Sequence, residues 1–376
     1  MKDKRKYHII IGSRAFFESK LPDSQESNAA NSFLELVRLS DAARQNGRTI
    51  DERANVLVVK NDNYHGIVNT AHDRLGPLIE DLTTASAEIY LHNPPRILKE
   101  YLRNQRSCST IELDTSLEDY SMVRNPSVFA TKMKKISSKI FGQQAAIEEI
   151  SKSLWYLTIV KRKKPYVIML YGNSSLGKTE LVREIAENFF GGKQLEKHLS
   201  MFKNNGYSEY FFGDAPNRRS LGFDLLERES NLIFFDELDK CPDYFFSAFY
   251  TLFDNVEFKD AIYDVDTSGI VIILTSNYHT EEDMKQHLGL PIFYRINKFV
   301  HFDDFDGDTI YEIVKNEISA RKDEYSDKLA PEMVYAAVSP LILASGENAR
   351  TIKRKVQQVI EELLFREVQE KDSDRA

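Results

Sequence analysis

The stretch "VIMLYGNSSLGKTELVREIA", from Val167 to Ala186, joins an apolar run, a glycine-bearing loop and an amphipathic run. Gly172 to Thr179 spell G-x-x-x-x-G-K-T. Gly172 and Gly177 permit a tight backbone path on which successive N–H groups turn toward phosphate oxygens, and the following helix adds its positive dipole end. Gly172, Asn173, Ser174, Ser175, Leu176 and Gly177 would then cradle the phosphates of ATP or GTP, with Thr179 and Glu180 in the first turn of the helix. Lys178 would reach the β- and γ-phosphates, and the Thr179 hydroxyl would ligate Mg2+. A glycine-rich turn in an ordinary α/β protein has the same spacing, so the motif needs a partner. "LIFFDE", ending at Glu237, supplies one: an apolar strand followed by two carboxylates. Asp236 at the strand end would hold Mg2+, directly or through water, and Glu237 would polarise an attacking water as general base. Both motifs, in this order and on these elements, specify a nucleotide site.

The chain around them has 376 residues, enough for two or three domains. Hydrophobic residues make up 42% and charged residues 29%, the balance of a globular protein. A formal net charge of −8 argues against a chain whose main task is coating nucleic acid. Cys108 and Cys241 are the only cysteines, so neither a disulfide framework nor a four-cysteine zinc site can form. The most apolar runs, such as "GIVIIL" at 269–274, fall far short of the roughly 20 residues a membrane span needs. "MKDKRKYHIIIGS" has too brief an apolar stretch for a signal peptide and suits a first strand, so a cytoplasmic protein is expected.

Strand-like runs at 7–12, 55–60 and 87–91 alternate with helical patterns at 28–46 and 66–85. This predicts a small α/β domain with a parallel sheet over residues 1–105. Residues 106–135 are expected to be a linker, polar and weakly periodic, with Pro126 inside. The amphipathic stretch 141–162 then places Ile147, Ile150, Leu154 and Leu157 on one face. "GIVIILTSN" (269–277) is a further buried-type strand, and the last seventy or so residues pattern as helix. No internal repeat is visible. "KMKK" (132–135) and "KRKK" (161–164) suit solvated faces, and His8, His65 and His72 fall into no metal-ligand spacing.

Five ordered motifs spread over residues 138–365 resemble the AAA+ ATPases of the Clp-type chaperone clade. They are "IFGQQAAIEEI", "GKTELVREIAENFF", the "LTSN" strand end after "DE", "LPIFYRINKFVHF" (290–302) and "SGENARTIKRKVQQVI" (345–360). The resemblance implies a P-loop domain of parallel sheet and flanking helices over 136–302 and a helical lid over 303–376. It implies that Ile140 lies on the adenine side and that Asn277 orients the water or contacts the γ-phosphate. Arg295 is then the arginine finger, acting on nucleotide held by a neighbouring subunit, and Arg350 the second sensor, closing the lid over its own. A fixed guanidinium suits both tasks, because charge develops on phosphoryl oxygens in the transition state. ATP and Mg2+ are the implied cofactors, and a homo-oligomer, a hexameric ring, the implied assembly.

One part departs from the family. Where Clp-type unfoldases carry an aromatic, glycine-flanked pore loop, residues 207–230 read "YSEYFFGDAPNRRSLGFDLLERES". Arg218 and Arg219 could face something acidic such as a nucleic-acid backbone; Phe223, or Tyr210 to Phe212, could grip a peptide; or the loop is a solvated turn. Three functions follow: remodelling of a protein client, a nucleotide-dependent assembly or switch that recruits an effector without threading, and a nucleic-acid-associated motor, the last disfavoured by the charge. "HLGL" (287–290) is the nearest approach to a protease-docking tripeptide and lies beside the finger segment, so docking to a protease ring is not expected.

Overall fold

The computed structural model describes residues 4–22, 31–46, 53–120, 122, 124–202, 206–325, 328–342 and 346–373. Among them lie two five-stranded parallel sheets. The first is built from β1 (Lys6–Ile11), β2 (Asn31–Ser32), β3 (Ala54–Val59), β4 (Thr83–His92) and β5 (Glu112–Leu117), side by side as β2-β3-β4-β1-β5. Tyr7, Ile9, Leu57, Ile89 and Leu91 from its middle strands meet Leu36, Ile79, Leu98 and Leu102 from the covering helices in one core. The helical pattern at 66–85 resolves into two short helices, Asn69–His72 and Leu75–Leu82, and stops at Leu82 because Thr83 opens β4.

The expected linker 106–135 is corrected at both ends. β5 lies inside it and pairs with β1 from Lys6↔Glu112 to Ile11↔Leu117, so the first sheet ends at Leu117, beyond residue 105. An edge strand bonded through its backbone needs no apolar face, and "ELDTSL" has none: no residue of it is fully buried. Pro126 opens a helix, Pro126–Ser137, with the Asn125 carboxamide oxygen accepting from the Ser127 and Val128 N–H groups. That helix buries Phe129, Met133 and Ile136 in the core of the second unit.

The second sheet comprises β6 (Tyr166–Tyr171), β7 (Leu195–His198) and β8 (Leu232–Asp236), then, after a small antiparallel hairpin of β9 (Glu257–Lys259) and β10 (Asp264–Asp266), β11 (Val271–Thr275) and β12 (Lys298–His301). Its order is β12-β6-β11-β8-β7, with β6, β11 and β8 buried on both faces. Helices Gln144–Ile159 and Lys178–Phe189 cover one face; Phe246–Asp254 and Glu281–Phe293 cover the other. Three longer helices follow, Gly307–Ala320, Pro331–Val338 and Ala349–Ser373, and their Ile310, Val314, Val334, Ile352 and Val356 continue the first of those cores. Ligand sites of such sheets form where strands end and neighbouring connections diverge, and that point here is the carboxyl end of β6, between β11 and β12.

Candidate nucleotide site

At the end of β6 the chain turns through Gly172 at φ 128°, Ser175 at φ 62° and Gly177 at φ 100° into helix Lys178–Phe189. A side chain at 172 would place Cβ 2.4 Å from the Phe302 carbonyl oxygen, so the close approach of the β12 exit requires glycine. The loop floors a cleft of about 630 Å³ whose walls include Ile140, Phe141, Ser174 to Glu180, Asp236, Glu237, Asn277, Phe305, Ile313, Glu317, Arg350 and Lys353. Helix-start N–H groups face this cleft and favour an anion there.

Lys178 is only 7% exposed. Its ammonium donates to the carbonyls of Gly172 (2.7 Å) and Asn173 (2.6 Å), and to Asn277 Oδ1 at 3.4 Å. Gly172 and Asn173 therefore stand beneath the lysine rather than on the cleft wall. Burial pushes the Lys178 pKa down to about 8, against the opposing pull of Asp239 and Asp236.

The two carboxylates at the end of β8 are organised by the neighbouring strand. The Thr275 hydroxyl donates to Asp236 Oδ1 and accepts from the Glu237 N–H at 3.0 Å. Glu237 holds a left-handed φ of 60°, a conformation costing a non-glycine residue about 1–3 kcal/mol. Asn277 donates through its backbone N–H (3.2 Å) and Nδ2 (3.3 Å) to the buried Asp239. His198, at the end of β7, sets Nδ1 3.3 Å from Asp236 Oδ2. The hydroxyl of Thr179 and the carboxylate of Asp236 share this wall. Hard oxygen donors of this kind suit Mg2+, so the residues present fit the implied ion.

Arg350 reaches the cleft from the first turn of helix Ala349–Ser373. Asn348 and Thr351 exchange reciprocal bonds of 3.0 Å at that helix start, and the Ala349 N–H donates to the Ser175 carbonyl at 3.2 Å. Arg295 is not in the cleft. Its guanidinium lies 5.1 Å from the Tyr250 ring centroid, donates to the Pro291 carbonyl at 2.6 Å and stands 3.8 Å from Asp254. The structure thus gathers Ile140, Lys178, Thr179, Glu180, Asp236, Glu237, Asn277 and Arg350 at one site and leaves Arg295 on a separate surface.

Sequence reasoning missed Thr275, Asp239, His198, Glu317 and Lys353. Thr275 and Asp239 carried a signal, being polar residues within "LTSN" and "DELDK", next to motif residues already singled out. His198 carried none, because only the pairing of β7 with β8 brings it to Asp236.

The 207–230 segment differs from two of its sequence readings. Phe223 is 1% exposed, packed against Tyr263 and His65, so it grips nothing in this conformation. Arg218 pairs with Glu209 and Asp214, and Arg219 pairs with Asp224 at 2.5 Å while covering the Phe223 ring. Among the described side chains of the segment, Phe212 is the exposed aromatic.

A family model described as "AAA domain (Cdc48 subfamily)" matches residues 163–369. The ATP-dependent Clp protease ATP-binding subunit ClpL of Staphylococcus aureus is 26% identical over 48% of this chain, spanning 29% of its own length. Chaperone protein ClpB of Yersinia enterocolitica is 24% identical over 39% of this chain and 18% of its own. The chain therefore spans less than a third of these curated relatives. Among solved structures, the S. cerevisiae Hsp104–ADP complex superposes with a TM-score of 0.50 at 19% identity, over 65% of this chain and 49% of that one, which is a likeness of fold. With more than half of its residues inside the family model and the motif residues converging on one cleft, the chain belongs to the Clp-type clade of the AAA+ family.

Proposed function

We propose that the chain hydrolyses ATP in an oligomeric ring and couples turnover to work on a protein partner. The observation that carries this reading is the convergence of Lys178, Asp236, Glu237, Asn277 and Arg350 around one cleft of about 630 Å³. In this mechanism the loop N–H groups and Lys178 hold the β- and γ-phosphates in line with a water positioned by Asn277. Glu237 accepts the proton of that water as oxygen bonds to the γ-phosphorus and the bond to the β–γ bridging oxygen breaks. Arg350 stabilises the charge spreading over the γ-phosphoryl oxygens from the lid. Thr179 and Asp236 would hold Mg2+, which when bound neutralises phosphate charge. Arg295 lies outside the cleft of its own chain, which supports action on a neighbour's nucleotide.

Replacing Glu237 with Gln is expected to preserve ATP binding and lower turnover by about 10²–10⁴-fold. Unchanged turnover would remove Glu237 from its role. The ring, its hexameric count and a cytoplasmic setting belong to this proposal. No helix among the described residues is long and apolar enough to cross a membrane.

A second reading, a nucleotide-dependent switch that recruits an effector without threading, is favoured by one observation. Of the aromatics nominated to grip a peptide, Phe223 and Phe211 are buried and Phe212 is exposed, while Arg218 and Arg219, nominated to face an acidic partner, are paired with carboxylates of the chain itself. Capture with the Glu237→Gln variant separates the two. Many unrelated polypeptides held only with ATP would mean remodelling, whereas one stoichiometric partner would mean a switch.

A further inference from the structure

The two sheets repeat one architecture. Counted within each unit, both run fifth-first-fourth-third-second: β5-β1-β4-β3-β2 and β12-β6-β11-β8-β7. The likeness extends to single bonds at the strand ends. Glu118 N–H donates to the Ile11 carbonyl (2.9 Å) as Phe302 N–H does to Tyr171 (2.8 Å). Asn93 N–H donates to Ile10 (3.0 Å) as Ser276 N–H does to Leu170 (3.0 Å). Gly12, at φ 150°, follows β1 as Gly172, at φ 128°, follows β6.

The chemistry, however, has been removed from the first unit. Its loop is reduced to Gly12 and Ser13 before a short helix, and the anion seat is taken by the chain itself. Glu118 Oε2 accepts from the Ser13 N–H (2.6 Å) and the Tyr120 hydroxyl (2.7 Å), and Oε1 accepts from the Ser13 hydroxyl (3.1 Å). A Cβ at Gly12 would lie 2.6 Å from that carboxylate, so Glu118 itself packs onto the turn where a phosphate would sit. Where β8 ends in Asp236 and is followed by Glu237, β3 ends in Val59 and is followed by Lys60. Arg14, which opens the helix as Lys178 does, is exposed and pairs with Glu18 at 3.0 Å.

The strand-end face that holds nucleotide in the second unit is covered, in the first, by the second unit. Asn61 Nδ2 donates to Glu227 Oε1 (3.0 Å), and His92 Nδ1 lies 3.6 Å from the same oxygen. The His65 ring sits 4.8 Å from the Phe223 ring, and the Tyr120 hydroxyl oxygen, whose one proton is shared with Glu118, lies 2.7 Å from the Arg228 carbonyl. Beside this contact, the Arg96 N–H donates to the Ile262 carbonyl (2.8 Å), while its guanidinium reaches Ala261 O (3.1 Å) and Asp264 (3.3 Å). Burial holds the His92 imidazole down at about 4, so its contact with Glu227 is no ion pair at neutral pH.

We propose that the first unit is a phosphate-free repeat of the nucleotide unit, and that its strand-end face has become a clamp on Ser220–Arg228 and Asp260–Asp264 of that unit. The clamp fixes the segment directly after Arg218 and Arg219, within the stretch 207–230 that departs from the family's pore-loop pattern. It also reaches the nucleotide site. Asp224 in the clamped helix accepts from Lys197 on β7 (2.6 Å), and the next residue, His198, touches Asp236.

The test uses the full chain and two readouts. Amide hydrogen exchange over 220–228 is compared in the wild type, Arg96→Asp, Asp264→Arg and the charge-swapped double variant. Each single variant is expected to speed exchange there by about tenfold while β6 and β8 stay protected, and the double variant to restore it. Exchange over 220–228 that stays at the wild-type rate in both single variants would overturn the clamp. Equilibrium dialysis with ATP should find one nucleotide per chain; two nucleotides per chain would overturn the phosphate-free assignment. The exchange arm needs no nucleotide, so failure of the clamp and failure of the ATP reading are told apart.

Discussion

Lys178 carries the sharpest pH prediction. Its ordinary pKa of 10.5 falls to about 8 in the folded chain, with burial as the main cause. Between those values the unfolded chain holds a proton that the folded one lacks, so this residue makes stability rise with pH across that window. A bound phosphate reverses the preference, because it favours the charged ammonium. Nucleotide affinity is therefore expected to weaken as pH climbs through about 8, with proton uptake on binding at pH 9 and little at pH 7. Titration calorimetry in two buffers of different ionisation heat would measure this; equal uptake at both pH values would contradict it. The loop glycines make a second pair of predictions. Gly172→Ala forces Cβ onto the Phe302 carbonyl and should cost about 2 kcal/mol or more. Gly177→Ala meets only Ile140 at 3.8 Å, so it pays backbone strain alone, about 1–2 kcal/mol. Thermal unfolding of the two variants ranks them.

At the scale of elements, the lid helix shows how a local bond sets a site. Asn348 closes the helix start that carries Arg350, and Asn348→Ala should cost about 1 kcal/mol and weaken ATP binding together. The Ala349 N–H bond to Ser175 is a main-chain tether between lid and loop, so most side-chain substitutions leave it intact. Proline at 349 removes the donor at the first helical position, where proline is tolerated. Ala349→Pro should therefore keep the fold and loosen lid closure, read as faster nucleotide release in stopped flow. Elements of this kind were legible where the apolar pattern is strong: β6, β8 and β11 are buried on both faces and announce themselves as continuous apolar runs. β5 was not, since an edge strand is specified by its neighbour's free backbone rather than by its own side chains. Pro126 alone is ambiguous, because the same residue that ends a helix also begins one, and only Asn125 beside it distinguishes the cases.

For the whole molecule, the separation of Arg295 from the cleft makes assembly the variable to test. Specific ATPase activity should rise with protein concentration, and Arg295→Ala should abolish turnover with ATP binding unchanged; full activity in a dilute monomer would count against a finger acting in trans. The repeat of one strand order in both units was invisible in the sequence because the two loops share only a glycine, and backbone bonds at strand ends leave no mark on side-chain identity. Parallel order also imposes a timetable. β1 and its partners β4 and β5 are all made by Leu117, whereas β6 is complete only at Tyr171 and its partner β11 follows about 100 residues later again, or roughly 5–20 s of synthesis. The first unit is thus a finished surface while the second is still emerging from the ribosome. Glu227 and Asp264 arrive, in that order, at a template already folded to receive them.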